Sequence, residues 1–177
     1  MHIMLYNMIC DSADEDAIKA LGLLALGSRL KRLGERLQAE VQPILNHLNP
    51  SVAASHHPLL ATLDRHAALT IGELAGTLGV SQPGVTRAVG QLTQMGIVQV
   101  AMAEVDGRRR LVSLSPTGRK LVAAAKRKAW PQVENAMADL CDGFGDELLR
   151  HLASIENGLT LEPLAARARR SRLDGSE

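Results

Sequence analysis

Aromatic side chains are almost missing: Tyr6, Trp130 and Phe144 are the only three in 177 residues. The interior must therefore be built from Leu, Ala, Val and Ile, which suits packed helices better than an all-β sandwich. Cysteine is as scarce. Cys10 and Cys141 form neither a zinc pattern nor a disulfide framework, so a reducing compartment is the simplest setting. No apolar run approaches the roughly 18 residues of a membrane span. The opening MHIMLYNMIC lacks a basic flank and a cleavage pattern, so no signal peptide is read there and a cytoplasmic protein is expected. G-x-S-x-G, a phosphate-cradling Gly loop, H-E-x-x-H and a paired-carboxylate constellation are all missing, which argues against an enzyme and calls for no cofactor. A net charge of +1 gives no global field toward nucleic acid or membrane.

The charge that is present is unevenly placed. From Asp106 to Lys128 there are eight basic residues (Arg108, Arg109, Arg110, Arg119, Lys120, Lys126, Arg127, Lys128) against one acidic residue. Asp11, Asp14, Glu15 and Asp16 collect the opposite sign near the start. Such a split points to a localised anion-binding surface.

Hydrophobic spacing predicts a mainly α fold with a minor β component. Leu26, Leu30, Leu33, Leu37, Val41, Ile44 and Leu48 recur at steps of three and four, marking one helix from Asp14 to about Leu48. At 1.5 Å per residue that helix would span ~50 Å, more than a small domain needs, with a kink at Pro43. His57-Pro58 opens a helix through Leu63 to His66. Thr70 and Glu73 form a capping box for the next, which Gly79 ends. Ser81 caps a further helix with Pro83 in its first turn, and the pair reads as a helix-turn-helix. IVQVAM, EVDG and RRLVSLS then read as strand, turn and strand, with Arg110, Val112 and Leu114 on one face. A long helix from Pro116 to about Cys141 follows, interrupted at Gly143-Phe144-Gly145, and a last helix from Asp146 carries Leu148, Leu152, Ile155 and Leu159. From Ala165 a frayed tail is expected. The architecture is a winged helix-turn-helix at residues 57–115, between long helices at 14–56 and 116–165, with flexible tails at 1–13 and 166–177.

In a helix-turn-helix the second helix enters the major groove, its N-terminal residues toward base edges. Here those are Ser81, Gln82, Pro83, Thr86 and Arg87. Gln82 can pair bidentately with adenine, and Arg87 can reach guanine or a phosphate. Glu73 and Arg87 are the only charges between Leu69 and Val100, so affinity must come from elsewhere. The arginines of VDGRRRLVSL supply it: a guanidinium at a hairpin tip reaches the minor groove, and its neighbours meet phosphates. Asp106, two residues before Arg108, can hold that guanidinium in a preset pose. A glycine-bounded helix pair or an arginine-rich turn alone would be ordinary. Their order, with strand signals between them, is what carries the reading.

LTIGELAGTLGVSQPGVTRAVGQLTQMGIV followed by VDGRRRLVSLSPTG resembles the winged helix of the MarR family, over residues 57 to 122. Its D-x-R wing and apolar-x-Leu-Ser-x-x-Gly run stand here as Asp106, Arg108, Val112, Leu114, Ser115 and Gly118. The resemblance implies that Arg108 enters the minor groove braced by Asp106, that Arg109 and Arg110 lie on the wing, and that Ser81, Gln82, Pro83, Thr86 and Arg87 face the major groove. It also implies a homodimer with intertwined first and last helices, reading a near-palindromic double-stranded operator as a repressor. Gly84 departs from the family, whose members usually carry a hydroxyl or larger residue there. Gly84 and Gly90 each cost their helix up to about 1 kcal/mol relative to Ala.

Regulators of this kind resemble switches released by a small aromatic or anionic effector. Arg29, His47, His56, His57 and Trp130 are the candidate contacts, although the sequence outlines no pocket. Zinc sensing lacks ligand spacing, and acidic neighbours oppose thiolate formation at Cys10 and Cys141. Two alternatives stand beside the regulator: a winged-helix protein-interaction adaptor without DNA binding, and a redox- or metal-responsive regulator of the same fold.

Overall fold

The computed structural model describes residues 16–102 and 110–174, and the chain divides into two compact units that meet between Ala129 and Trp130. In the first unit, α1 (Ala17–Ala20) is capped by Asp16, whose carboxylate accepts from the Ile18 N–H at 3.1 Å. A 3₁₀ turn, Gly22–Ala25, leads into α2 (Leu26–Leu45). The single helix expected from Asp14 is thus broken. Gly22 sits at φ +53°, a left-handed conformation that no α-helix accommodates, and the helical phase restarts at Leu26. Pro43 lies in the last turn of α2 and does not kink a longer helix, because α2 ends two residues later.

A 3₁₀ turn, Ala54–His56, precedes α3 (His57–His66). Then come β1 (Ala68–Leu69), α4 (Ile71–Leu78), α5 (Gln82–Gln94), β2 (Val98–Met102) and β3 (Arg110–Leu114). The strands form an antiparallel sheet in the order β1-β3-β2, with Val100 opposite Val112 and Leu69 on the other side of Val112. β1 is too short to show alternation, and the sequence reading missed it. Val112 and Leu114 point inward as the strand pattern predicts, joining Leu60, Leu63, Leu74, Val85, Leu92, Ile97 and Val98 in one aliphatic core. Each such side chain contributes about 1.5–3 kcal/mol by burial.

α6 (Pro116–Ala124) passes into a π turn, Ala125–Ala129, whose Ala125 and Ala129 are fully buried; this turn packs against α2. An uninterrupted α-helix was expected. The π turn holds one more residue than an α turn.

The second unit contains α7 (Trp130–Cys141), α8 (Gly145–Leu161) and α9 (Leu164–Asp174). Asp142 and Gly143, both at positive φ, make the break read from the glycines. α9 corrects the expectation of a frayed tail. Arg167 donates to the carbonyls of Glu162 (3.0 Å) and Gly158 (2.7 Å), tying α9 to the end of α8. No residue of α7 or α8 is buried within the unit.

Candidate nucleic-acid interface

α4 and α5 are each fixed by the caps the sequence announces. Thr70 Oγ1 accepts from the Glu73 N–H at 3.2 Å, and the Glu73 carboxylate accepts from the Thr70 N–H at 2.8 Å. Gly79 closes α4 in the left-handed conformation, with its N–H donating to the Ala75 and Gly76 carbonyls. Ser81 Oγ then accepts from the Gly84 N–H at 3.3 Å and starts α5. Val85, Val89 and Leu92 are buried, which fixes the rotation of α5 about its axis. Ser81, Gln82, Pro83, Thr86 and Arg87 are consequently all exposed, on the N-terminal half of the helix.

Two of these side chains have local constraints that spacing did not reveal. The Thr86 hydroxyl donates to the Gln82 carbonyl at 2.9 Å, so its hydrogen is committed and only its lone pairs remain for another partner. A Cβ at Gly72 would stand 3.5 Å from Gln82 Nε2, so the Gln82 amide lies across the first turn of α4. A Cβ at Gly84 would meet Ser81 Oγ at 3.2 Å. The family's larger residue at that place would therefore press on the cap.

Behind the hairpin, Ser115 acts as a rivet. Its backbone N–H donates to the Ile97 carbonyl (3.0 Å) and its hydroxyl to the Gly96 carbonyl (2.6 Å), while Oγ accepts from the Gly118 N–H (3.0 Å). A Cβ on Gly118 would fall 2.0 Å from the Ile97 carbonyl oxygen, so only glycine fits. The base of the hairpin is thus fixed by Ser115, the helix cap expected from the sequence, and by Gly118, which the sequence offered only as a pattern position.

Asp106, Arg108 and Arg109 lie outside the described residues; Arg110 is exposed at the start of β3, opposite Met102. The basic run downstream is not one surface of free charge. Arg119 donates to the Leu114 carbonyl at 2.8 Å, and Lys126 pairs with Asp64 at 2.8 Å, joining the π turn to α3. Lys120, Arg127 and Lys128 are exposed.

Beside α5 lies a cavity of about 600 Å³, which the sequence had not outlined. Leu59, Leu78, Val80 and Val85 form apolar wall, while His56, Arg87, Gln38 and Gln91 contribute polar groups. Of the candidate effector contacts, only His56 belongs to this wall. His57 is buried next to it, His47 and Arg29 are exposed elsewhere in the first unit, and Trp130 belongs to the second unit. Burial holds the His56 imidazole below its ordinary basicity, a side-chain hydrogen bond with Gln91 opposing this in part. His57 is lowered by burial and by the neighbouring His56. His56 Nδ1 is buried and has no hydrogen-bond partner among the described residues. Among these residues there is also no cluster of three His, Cys, Asp or Glu able to hold a metal, and no helix long and apolar enough to cross a membrane. Cys141 is half-buried, and Cys10 lies outside the described residues.

Residues 49–109 match the sequence model of the MarR family. An uncharacterised HTH-type transcriptional regulator of Mycobacterium bovis is 37% identical over 114 residues, covering 62% of this chain and 80% of that protein. The transcriptional repressor CouR, solved bound to a 23-mer DNA duplex, superimposes with a TM-score of 0.64 at 25% identity, over 77% of this chain and 96% of CouR. BpsR of Bordetella bronchiseptica, whose DNA binding is regulated by 6-hydroxynicotinic acid, gives a TM-score of 0.57 at 20% identity, over 76% of this chain and 92% of BpsR.

Proposed function

As the chain belongs to the MarR family, whose members are transcriptional regulators and not enzymes, we propose that it is a cytoplasmic homodimeric repressor that lays one α5 into each of two successive major grooves of a near-palindromic operator. The observation that carries this reading is the orientation of α5. Its buried Val85, Val89 and Leu92 turn Ser81, Gln82, Pro83, Thr86 and Arg87 outward at the end that enters a groove. Gln82 reads a base edge, Arg87 meets guanine or phosphate, and Arg108, held by Asp106, enters the minor groove with Arg109 and Arg110 near the phosphates.

Uncovered apolar surface supports the dimer. Leu23 and Leu24 are more than 80% exposed, and Leu30 and Leu33 of the α2 stripe remain open. In the second unit Leu140, Phe144, Leu148, Leu149, Ile155 and Leu159 are exposed too. Surface of this kind is buried when the end helices of two copies combine across a two-fold axis. Residues 14–56 and 116–165 then serve dimerisation and residues 57–115 serve DNA.

The cavity beside α5 is the place for a small aromatic or anionic effector. Its apolar wall accepts a ring, and Gln38, Arg87 and Gln91 supply polar groups to orient it. An effector shifts DNA affinity only if the DNA-free arrangement binds it better.

Purified full-length chain incubated with fragmented genomic DNA should retain a few recurring sites of two half-sites about one turn, ~34 Å, apart. A duplex shift on such a site, competed by rising salt, then separates this reading from a protein-interaction adaptor. An adaptor retains no recurring site and shifts no duplex.

A further inference from the structure

A second cavity, of about 370 Å³, lies away from α5, between α1 and the first half of α2. Among the described residues it is lined by Lys19, Arg29, Arg32, Arg36, Leu33 and Asp16, four cations against a single carboxylate. That carboxylate is already committed. Asp16 accepts both Arg32 guanidinium nitrogens, one at 3.0 Å, in a bidentate pair that fastens α1 to α2. This pairing lowers the Asp16 pKa through the hydrogen bonds from Arg32. Arg29 and Arg36, three residues before and four after Arg32, flank it on the same face of α2 and have no ion-pair partner among the described residues; neither has Lys19. Like charges at these spacings repel and oppose the helix that carries them. Spreading them around a concavity with Leu33 at its wall focuses a positive potential on one small volume.

We propose that this cavity is a binding site for a small molecule bearing two or more anionic groups, a polycarboxylate or a phosphate ester, held by Arg29, Arg36 and Lys19 around the Arg32–Asp16 pair. Arg29 and Arg36 both line the cavity, so a ligand with two oxyanion groups can take bidentate hydrogen bonds from each guanidinium. A monovalent anion gains them once. The site is distinct from the effector cavity beside α5, since the two share no lining residue.

Calorimetric titration of the full-length protein with citrate and with inorganic pyrophosphate, each matched for ionic strength against chloride and acetate, tests the proposal. Saturable binding of either polyanion, one per chain, is expected, with acetate at least tenfold weaker. Citrate alone binding identifies a carboxylate site, and pyrophosphate alone a phosphate site; both support the proposal. The double variant Arg29→Ala/Arg36→Ala should lose at least tenfold in affinity while keeping its circular dichroism spectrum and its operator binding, and Arg87→Ala should bind the polyanion as wild type does. Heats no different from chloride overturn the proposal, as does unchanged binding by the double variant. A double variant that loses operator affinity together with salt dependence also overturns it, placing these arginines on DNA phosphates instead. The outcome is separable from the proposed function, which is tested by operator binding of the wild-type protein and not by its binding of polyanions.

Discussion

At the residue scale, the sharpest constraint is the contact between Gly118 and Ile97. With only 2.0 Å between a prospective Cβ and a backbone oxygen, no rotamer change relieves the clash. Gly118→Ala should cost about 2–3 kcal/mol in chemical denaturation, at the upper end of overpacking effects. The buried histidines set a pH dependence. Both are held below the ordinary value of 6.5. Above that value native and unfolded chains are equally neutral, and these residues add no slope. Below it the unfolded chain takes up protons that the native lobe refuses, so stability falls with falling pH. The melting temperature should drop between pH 7.5 and 5.5, and the His56→Gln/His57→Gln variant should show a smaller drop; an equal one would place the titrating groups elsewhere. On the DNA side, Gln82→Ala should relax the preference at one base position by about 1–3 kcal/mol while leaving the salt dependence intact, measured by competition among single-base operator variants.

At the scale of elements, local chemistry made most of the lobe legible. The Thr70–Glu73 box, Gly79, the Ser81 cap and the Ser115 cap each fix a boundary through hydrogen bonds made within a few residues, so their signals are contained in short strings of sequence. The Thr70→Ala change should remove about 1 kcal/mol of stability without altering operator sequence preference. What escaped the reading depends on distant partners. β1 exists only because Ala68 and Leu69 find Ser113 and Val112. The π turn follows from packing on α2, and α9 from Arg167 reaching carbonyls five and nine residues away. Gly22 was visible but was read through as helix, since an apolar stripe carries no record of φ. The cavity beside α5 draws on α2, α3 and α5 together, and no single stretch outlines it.

At the scale of the whole molecule, the apolar residues divide into two populations. Most large apolar side chains of the lobe are buried in its own core, whereas Leu30 and Leu33 of α2, Leu140 of α7 and Leu148, Leu149, Ile155 and Leu159 of α8 are exposed. A monomer would expose this surface to water, and a dimer explains why a chain with one small lobe carries so much helix around it. In the proposed function the effector and polyanion sites both act through that assembly, because a ligand would alter transcription only by changing how the two lobes meet DNA.

The most direct test of that central claim is a salt titration of operator affinity, by fluorescence anisotropy on a site recovered from genomic DNA, for the wild type and Arg108→Ala. The account predicts binding of two chains per duplex, with a log–log salt slope that becomes shallower by about one per altered wing as affinity falls on every operator sequence. A wild-type chain that binds as a monomer, or an Arg108→Ala variant with unchanged affinity and slope, would contradict it.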